Sequence, residues 1–216
     1  MKHIVAPRIQ VDAEPDPQQV KGLLDRAGVQ AETIGTVNWG EFPYRPEVKF
    51  RIAHTGTCIL LHYVVNERTS RAAYGDDLGR VWTDSCVEFF SSPSDDGYYY
   101  NLETNCIGTV LLCCGKNREG REAAPGRVLD SVKRYATLGR QTFDERPVGQ
   151  WELSLVVPSS FWFKHDIKSL SGLEVTANFY KCGDELSTPH FLSWNPITID
   201  HPDFHRPDFF GRVRFE

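Results

Sequence analysis

The chain has no run approaching the ~20 consecutive apolar residues needed to cross a bilayer. It also has no basic surplus: 24 Lys and Arg stand against 29 Asp and Glu, for a net charge of −5. Nucleic acid and anionic membrane surfaces want a concentrated basic face, so neither is expected as a partner. The N-terminus, MKHIVAPRIQVDAEPDPQQ, carries no continuous apolar segment of the signal-peptide kind, and a cytoplasmic location is expected. Internal repeats and low-complexity tracts are missing too. The catalytic signatures G-x-S-x-G, the P-loop and H-E-x-x-H do not occur.

Helix signals are also scarce. One stretch qualifies, Asp16 to Ala27. Asp16 can cap, Pro17 suits the first turn, and Gln19 completes a D-x-x-Q box. Val20, Leu23, Leu24 and Ala27 then share a face, and Gly28 suits the position just past the end. A helical turn is also expected at Ser159–Phe163.

What is present is a series of short apolar runs punctuated by turn residues. Val48–His54 and Cys58–Asn66 flank Thr55-Gly56-Thr57, and Ser85–Ser91 and Tyr98–Asn105 flank Pro93 to Gly97. Thr109–Cys114, Trp151–Val157, Glu174–Lys181 and Arg212–Phe215 follow. The pattern predicts an all-β protein, an antiparallel, jelly-roll-like β-sandwich with one short N-terminal helix and long loops. At 216 residues and 40% hydrophobic content it is expected to form a single domain, 1–216, with 1–35 as an extension packed on the sandwich. Arg68–Thr83, Gly115–Leu129 and Gly183–Phe210 exceed ordinary loop length, and such excursions often carry function. The six cysteines are expected to be reduced and structural, since four of them, Cys58, Cys86, Cys113 and Cys114, fall in apolar strand-like runs.

Alternation separates the faces of each strand. In Cys86-Val87-Glu88-Phe89-Phe90, Glu88 shares a face with Cys86 and Phe90. A carboxylate so flanked needs a partner, either an arginine or a pair of ligand hydroxyls. Tyr99, Asn101, Glu103 and Asn105 form another polar face, as do Thr176, Asn178 and Tyr180. Such faces are either solvated or line a polar groove. Trp151 and Trp162 read as core, and Trp39 as core or edge. Trp82 and Trp194 sit at loop–strand junctions and are candidates for an aromatic clamp. His190, His201, Asp203 and His205 lack the donors and the helix needed for a transition-metal site. Asp76, Asp77 and Asp84 offer oxygens to calcium without forming a regular calcium loop. Glu88 and Glu103 leave open a glycosidase pair.

Two blocks, Val81–Leu112 and Ala177–Phe215, together about a third of the chain, resemble carbohydrate-binding module family 9 and in particular its stand-alone relatives. The paired signatures are W-x-D-S-x-V-E and DFHRPDFFG. The resemblance implies a β-sandwich that binds mono-, di- or oligosaccharides without turning them over, in the setting of carbohydrate catabolism. Trp82 and Trp194 would then be the stacking pair, Glu88 the hydroxyl acceptor, and Asn105 and Asn178 supporting contacts. No cofactor is implied, beyond the structural calcium that some members of the family hold. The remaining alternatives are a glycoside hydrolase using Glu88 and Glu103, and a protein-interaction sandwich without a sugar site.

Overall fold

The apolar runs read from the sequence form strands whose ends fall within two residues of expectation in a computed structural model of residues 1–216. In chain order the strands are β1 (His3–Ala6), β2 (Glu32–Thr33), β3 (Thr36–Val37), β4 (Glu47–His54), β5 (Cys58–Glu67), β6 (Ser70–Ala72), β7 (Cys86–Ser92) and β8 (Tyr99–Asn105). They continue with β9 (Val110–Gly115), β10 (Glu122–Ala123), β11 (Lys133–Ala136), β12 (Phe143–Arg146), β13 (Gly149–Pro158), β14 (Glu174–Cys182), β15 (Phe191–Ser193) and β16 (Gly211–Phe215). Asp16 caps as its chemistry predicts, accepting the Gln18 N–H at 2.8 Å. A 3₁₀ turn at Pro17–Gln19 then leads into α1 (Val20–Arg26), while Gln19 makes no capping bond. Gly28, at φ 63°, takes the left-handed position after the helix. A second helix, α2 (Gly126–Ser131), begins in the Gly115–Leu129 excursion and runs two residues past it, where the sequence has no strong helical pattern.

The strands form a β-sandwich. One sheet runs β1-β16-β14-β7-β8-β9-β10, with β15 and then β3 joined to the far end of β14. The other runs β11-β13-β5-β4-β2, and β6 and β12 form a separate ribbon. Every pairing is antiparallel except that of β1 with β16. The N-terminal 35 residues contribute to both sheets, through β1 and β2. Helix α1 covers the outer face of the second sheet, where Val20 and Leu24 pack with Leu60 and Val156.

Between the sheets, Val87, Phe89, Leu102, Leu112 and Phe179 face Phe50, Leu61, Tyr63 and Leu153. Phe50 of β4 stacks on Phe179 of β14 at 4.0 Å, and Phe179 on Phe89 at 5.0 Å, so one aromatic column bridges the layers. Trp151 and Trp162 are both fully buried.

One charged pair interrupts this interior. Lys181 follows the inward register of Phe179 and is fully buried. Its ammonium lies 2.9 Å from Glu67 Oε2, a charge contact rather than a well-aligned hydrogen bond. It donates at 2.8 Å to His190 Nε2 and to the Cys182 carbonyl. Glu67 Oε1 accepts from Trp151 Nε1 at 2.7 Å and Ser70 Oγ at 2.9 Å. Burial pushes the Glu67 carboxyl up, yet Lys181, followed by the Trp151 and Ser85 side chains, outweighs it and holds its pKa below the usual range. Burial, then Lys181, lowers His190 to about 3, so the ring is neutral. Its Nδ1 is 3.0 Å from the Thr188 carbonyl, which leaves Nε2 to accept from Lys181.

Removing one partner of such a pair strands the other charge in low dielectric. Lys181→Met is therefore expected to destabilise the fold by about 3–5 kcal/mol in guanidinium unfolding. Adding Glu67→Gln should recover part of that loss.

Candidate functional site

Strand alternation that sends Val87, Phe89 and Leu102 inward sends Glu88, Phe90, Asn101 and Glu103 to the outer face of the first sheet. There they floor a cleft of about 390 Å³. Glu88 of β7 and Glu103 of β8 are directly paired in register, so the two carboxyls stand side by side. Both residues are buried, at 3% and 4% exposure. Glu88 Oε1 accepts from Cys182 Sγ at 3.0 Å and Glu103 Oε1 from Asn101 Nδ2 at 2.7 Å. The remaining oxygen of each carboxyl has no protein partner.

Burial raises both carboxyls. Glu88 lies well above the usual carboxylate range, from loss of solvent and then repulsion from Glu103. Glu103 rises to about 7 through burial, opposed by the Asn101 hydrogen bond and by Arg121. The pair therefore keeps a proton near neutrality. Asp184 on the rim rises to about 6, because the wall displaces water from its carboxyl although much of the residue remains exposed.

Walls come from the three long excursions. The first supplies Trp82, half-buried in a 3₁₀ turn at Val81–Thr83, with the Arg80 guanidinium 5.8 Å from its ring centre. It also supplies Leu78, a non-glycine residue at φ 67° whose N–H is tied to the Val110 carbonyl at 2.8 Å. That uncommon backbone conformation places Leu78 on the rim. The second supplies Arg118 and Arg121. Arg121 stacks 4.2 Å over Tyr99 and its Nε donates to Asn101 Oδ1 at 2.9 Å, so it orients the amide that bonds Glu103. The third supplies Asp184, Phe191 and the Pro202–His205 segment. Within that segment Phe204 stacks on Tyr180 at 4.1 Å and 6°. The site is thus an acidic floor between aromatic walls.

The family model for carbohydrate-binding family 9 matches residues 18–215. The chain belongs to that family. It is a family of non-catalytic binding modules. A candidate carbohydrate-binding protein from Bacteroides uniformis is 48% identical, covers 100% of this chain and 99% of its own, and superposes with a TM-score of 0.97. Two structures of a family 9 module from Caldicellulosiruptor kristjanssonii, with glucose and with cellotriose, share the fold at TM-scores of 0.61 and 0.63. Each is 12% identical and covers 100% of this chain and 96% or 94% of its own. No curated protein matches significantly.

Two of the residues expected at the site of this family 9 chain, Trp82 and Glu88, do line the cleft. The other three do not. Trp194 is fully buried between the sheets, edge-on to Phe50 and Phe179, with its indole N–H donating to Glu32 Oε2 at 3.0 Å. Gly211 lies against its six-membered ring, and a Cβ there would collide with it. Trp194 therefore offers no face to a ligand. Asn178 is fully buried; its amide accepts the Asn195 N–H at 2.8 Å and donates to the Asn195 carbonyl at 3.0 Å, pinning the chain beside Trp194. Asn105 accepts the N–H groups of Ile107 and Thr109 and donates to Tyr74 O and Asp84 Oδ2, closing the β8–β9 turn. These side chains satisfy buried backbone rather than a ligand.

Two of the three candidate calcium donors have protein partners. Asp84 accepts the N–H groups of Ala73 and Tyr74 and pairs with Arg71, while Asp77 accepts from Val110 N and Arg134. His205 bonds the Tyr99 hydroxyl at 3.1 Å, and His190 serves Lys181. Glu103, weighed from the sequence only as a glycosidase partner of Glu88, joins the site, as do Asn101 on the polar face of β8, Arg121 in the second excursion and Phe204 in the DFHRPDFFG signature.

Two outcomes follow. Trp194→Ala is expected to lower stability by about 3–5 kcal/mol in chemical unfolding. Glu103 has a folded pKa raised to about 7 over its reference of 4.5. Its contribution is fully present below pH 4.5 and is lost as pH rises to about 7. The stability difference between wild type and Glu103→Gln should accordingly shift in favour of the variant across that window, as read from unfolding at pH 4.5 and 8.

Proposed function

We propose that the cleft binds mono-, di- or oligosaccharides. The observation that carries this reading is the pair of buried carboxyls, each with one unpartnered oxygen, in a cleft that Trp82 also lines. A pyranose ring has an apolar face and a rim of hydroxyls. The face suits Trp82, and vicinal hydroxyls suit the free oxygens of Glu88 and Glu103. Phe204, already held against Tyr180, takes the second-wall role first expected of Trp194. The cleft volume lies in the range of small-ligand sites. The sugars in the Caldicellulosiruptor kristjanssonii complexes, glucose and cellotriose, are of the size this reading requires. Because the walls are pre-formed, little side-chain entropy is lost on binding.

The same geometry disfavours hydrolysis. Glycosidases flank the scissile bond with two carboxyls. Here both rise from adjacent strands of one floor and would meet the same side of a ring. Carbohydrate catabolism is the setting we propose, with the chain as a sugar carrier or sensor rather than a catalyst.

Isothermal titration against glucose, xylose, cellobiose and xylobiose, each with its alditol, tests this. Binding of at least one sugar is expected, with Trp82→Ala weakening it by about tenfold, ~1.4 kcal/mol. Unchanged affinity in both Trp82→Ala and Glu88→Gln would place the sugar elsewhere.

A further inference from the structure

At one end of the cleft floor Glu88 also belongs to a second cluster, with two cysteines that sugar binding does not require. Cys86 of β7 and Cys182 of β14 are directly paired in register, and alternation puts Glu88 on the same face as Cys86. Both sulfurs and a Glu88 oxygen lie within 4.8 Å of one another, with Cys182 Sγ 3.0 Å from Glu88 Oε1. All three side chains are buried, and Glu88 Oε2 has no partner. Cys182 and Glu88 also line the cleft, which gives the cluster an entry.

As packing alone, two thiols around a carboxyl with an orphaned oxygen are an unfavourable use of a buried position. As ligands they form a coherent set. Two sulfurs and a carboxylate oxygen suit a borderline-soft divalent cation. Metal–sulfur distances of about 2.3 Å and metal–oxygen distances of about 2.0–2.2 Å at tetrahedral angles need only modest side-chain adjustment from this spacing.

We propose that Cys86, Cys182 and Glu88 form a site for a divalent cation of the zinc class, with its fourth position open to the cleft. Binding converts both thiols to thiolates and the Glu88 carboxyl to carboxylate, and releases their protons to solvent. The proposal does not depend on sugar being the ligand of the cleft.

The test is titration of the reduced, chelator-treated chain with Co²⁺, followed by Zn²⁺. Saturation at a single equivalent is expected, with sulfur-to-cobalt charge transfer that Zn²⁺ abolishes. Glu88→Gln should keep the charge transfer and weaken Co²⁺ binding by about tenfold or more, since even outer-shell losses reach that size. Cys182→Ser should cut the band by half or more, while Cys58→Ser, in the apolar cluster beside α1, should leave it intact. No charge-transfer band in the wild-type chain, or an unchanged band in folded Cys182→Ser, overturns the proposal. Circular dichroism establishes that the variants fold, and unchanged Co²⁺ affinity in Glu88→Gln counts against the site even if Cys182→Ser does not fold.

Discussion

Burial of the central strands on both faces is the constraint from which the cleft follows. Nearly every residue of β7 and β8 is buried. Their inner faces meet the second sheet, and their outer faces lie under loops. A polar side chain on an outer position therefore has no open water to fall back on. Glu88 and Glu103 occupy two such positions in direct register, and the shape and charge of the site follow from that placement.

Residues 181 and 182 show how one strand serves two opposed purposes. Lys181 points between the sheets and completes a compensated cluster with Glu67 and His190. Cys182 points outward and is a neighbour of an acid that lacks a counter-charge. Inside, donors and charge are matched and the pKa of Glu67 falls; outside, desolvation outweighs the few opposing contacts and those of Glu88 and Glu103 rise. The inner cluster holds the layers in register, and the outer pair is left for a ligand to complete.

Much of this is legible in the sequence. Alternation puts Glu88 on one face with Cys86 and Phe90 and Glu103 on a polar face, and the lengths of three excursions mark the segments that wall the cleft. Trp194 was misleading because Ser193-Trp194-Asn195-Pro196 has the composition of an exposed junction. What buries it is remote: Asn178 holds the backbone, and the absence of a Cβ at Gly211 makes room for the ring. An amide facing backbone has the same sequence pattern as one facing a sugar, which is why Asn105 and Asn178 read as ligands. Phe204 and Arg121 lie in irregular segments with no periodicity to place them.

The parallel pairing of β1 with β16 has a consequence for how the molecule comes into being. The first strand of the fold cannot find its partner until the last has been made, and that partner must itself dock on β14. Loop-closure entropy makes such contacts slow. During synthesis β1 waits as an unpaired edge through nearly the whole chain, the interval in which this fold is most open to mispairing.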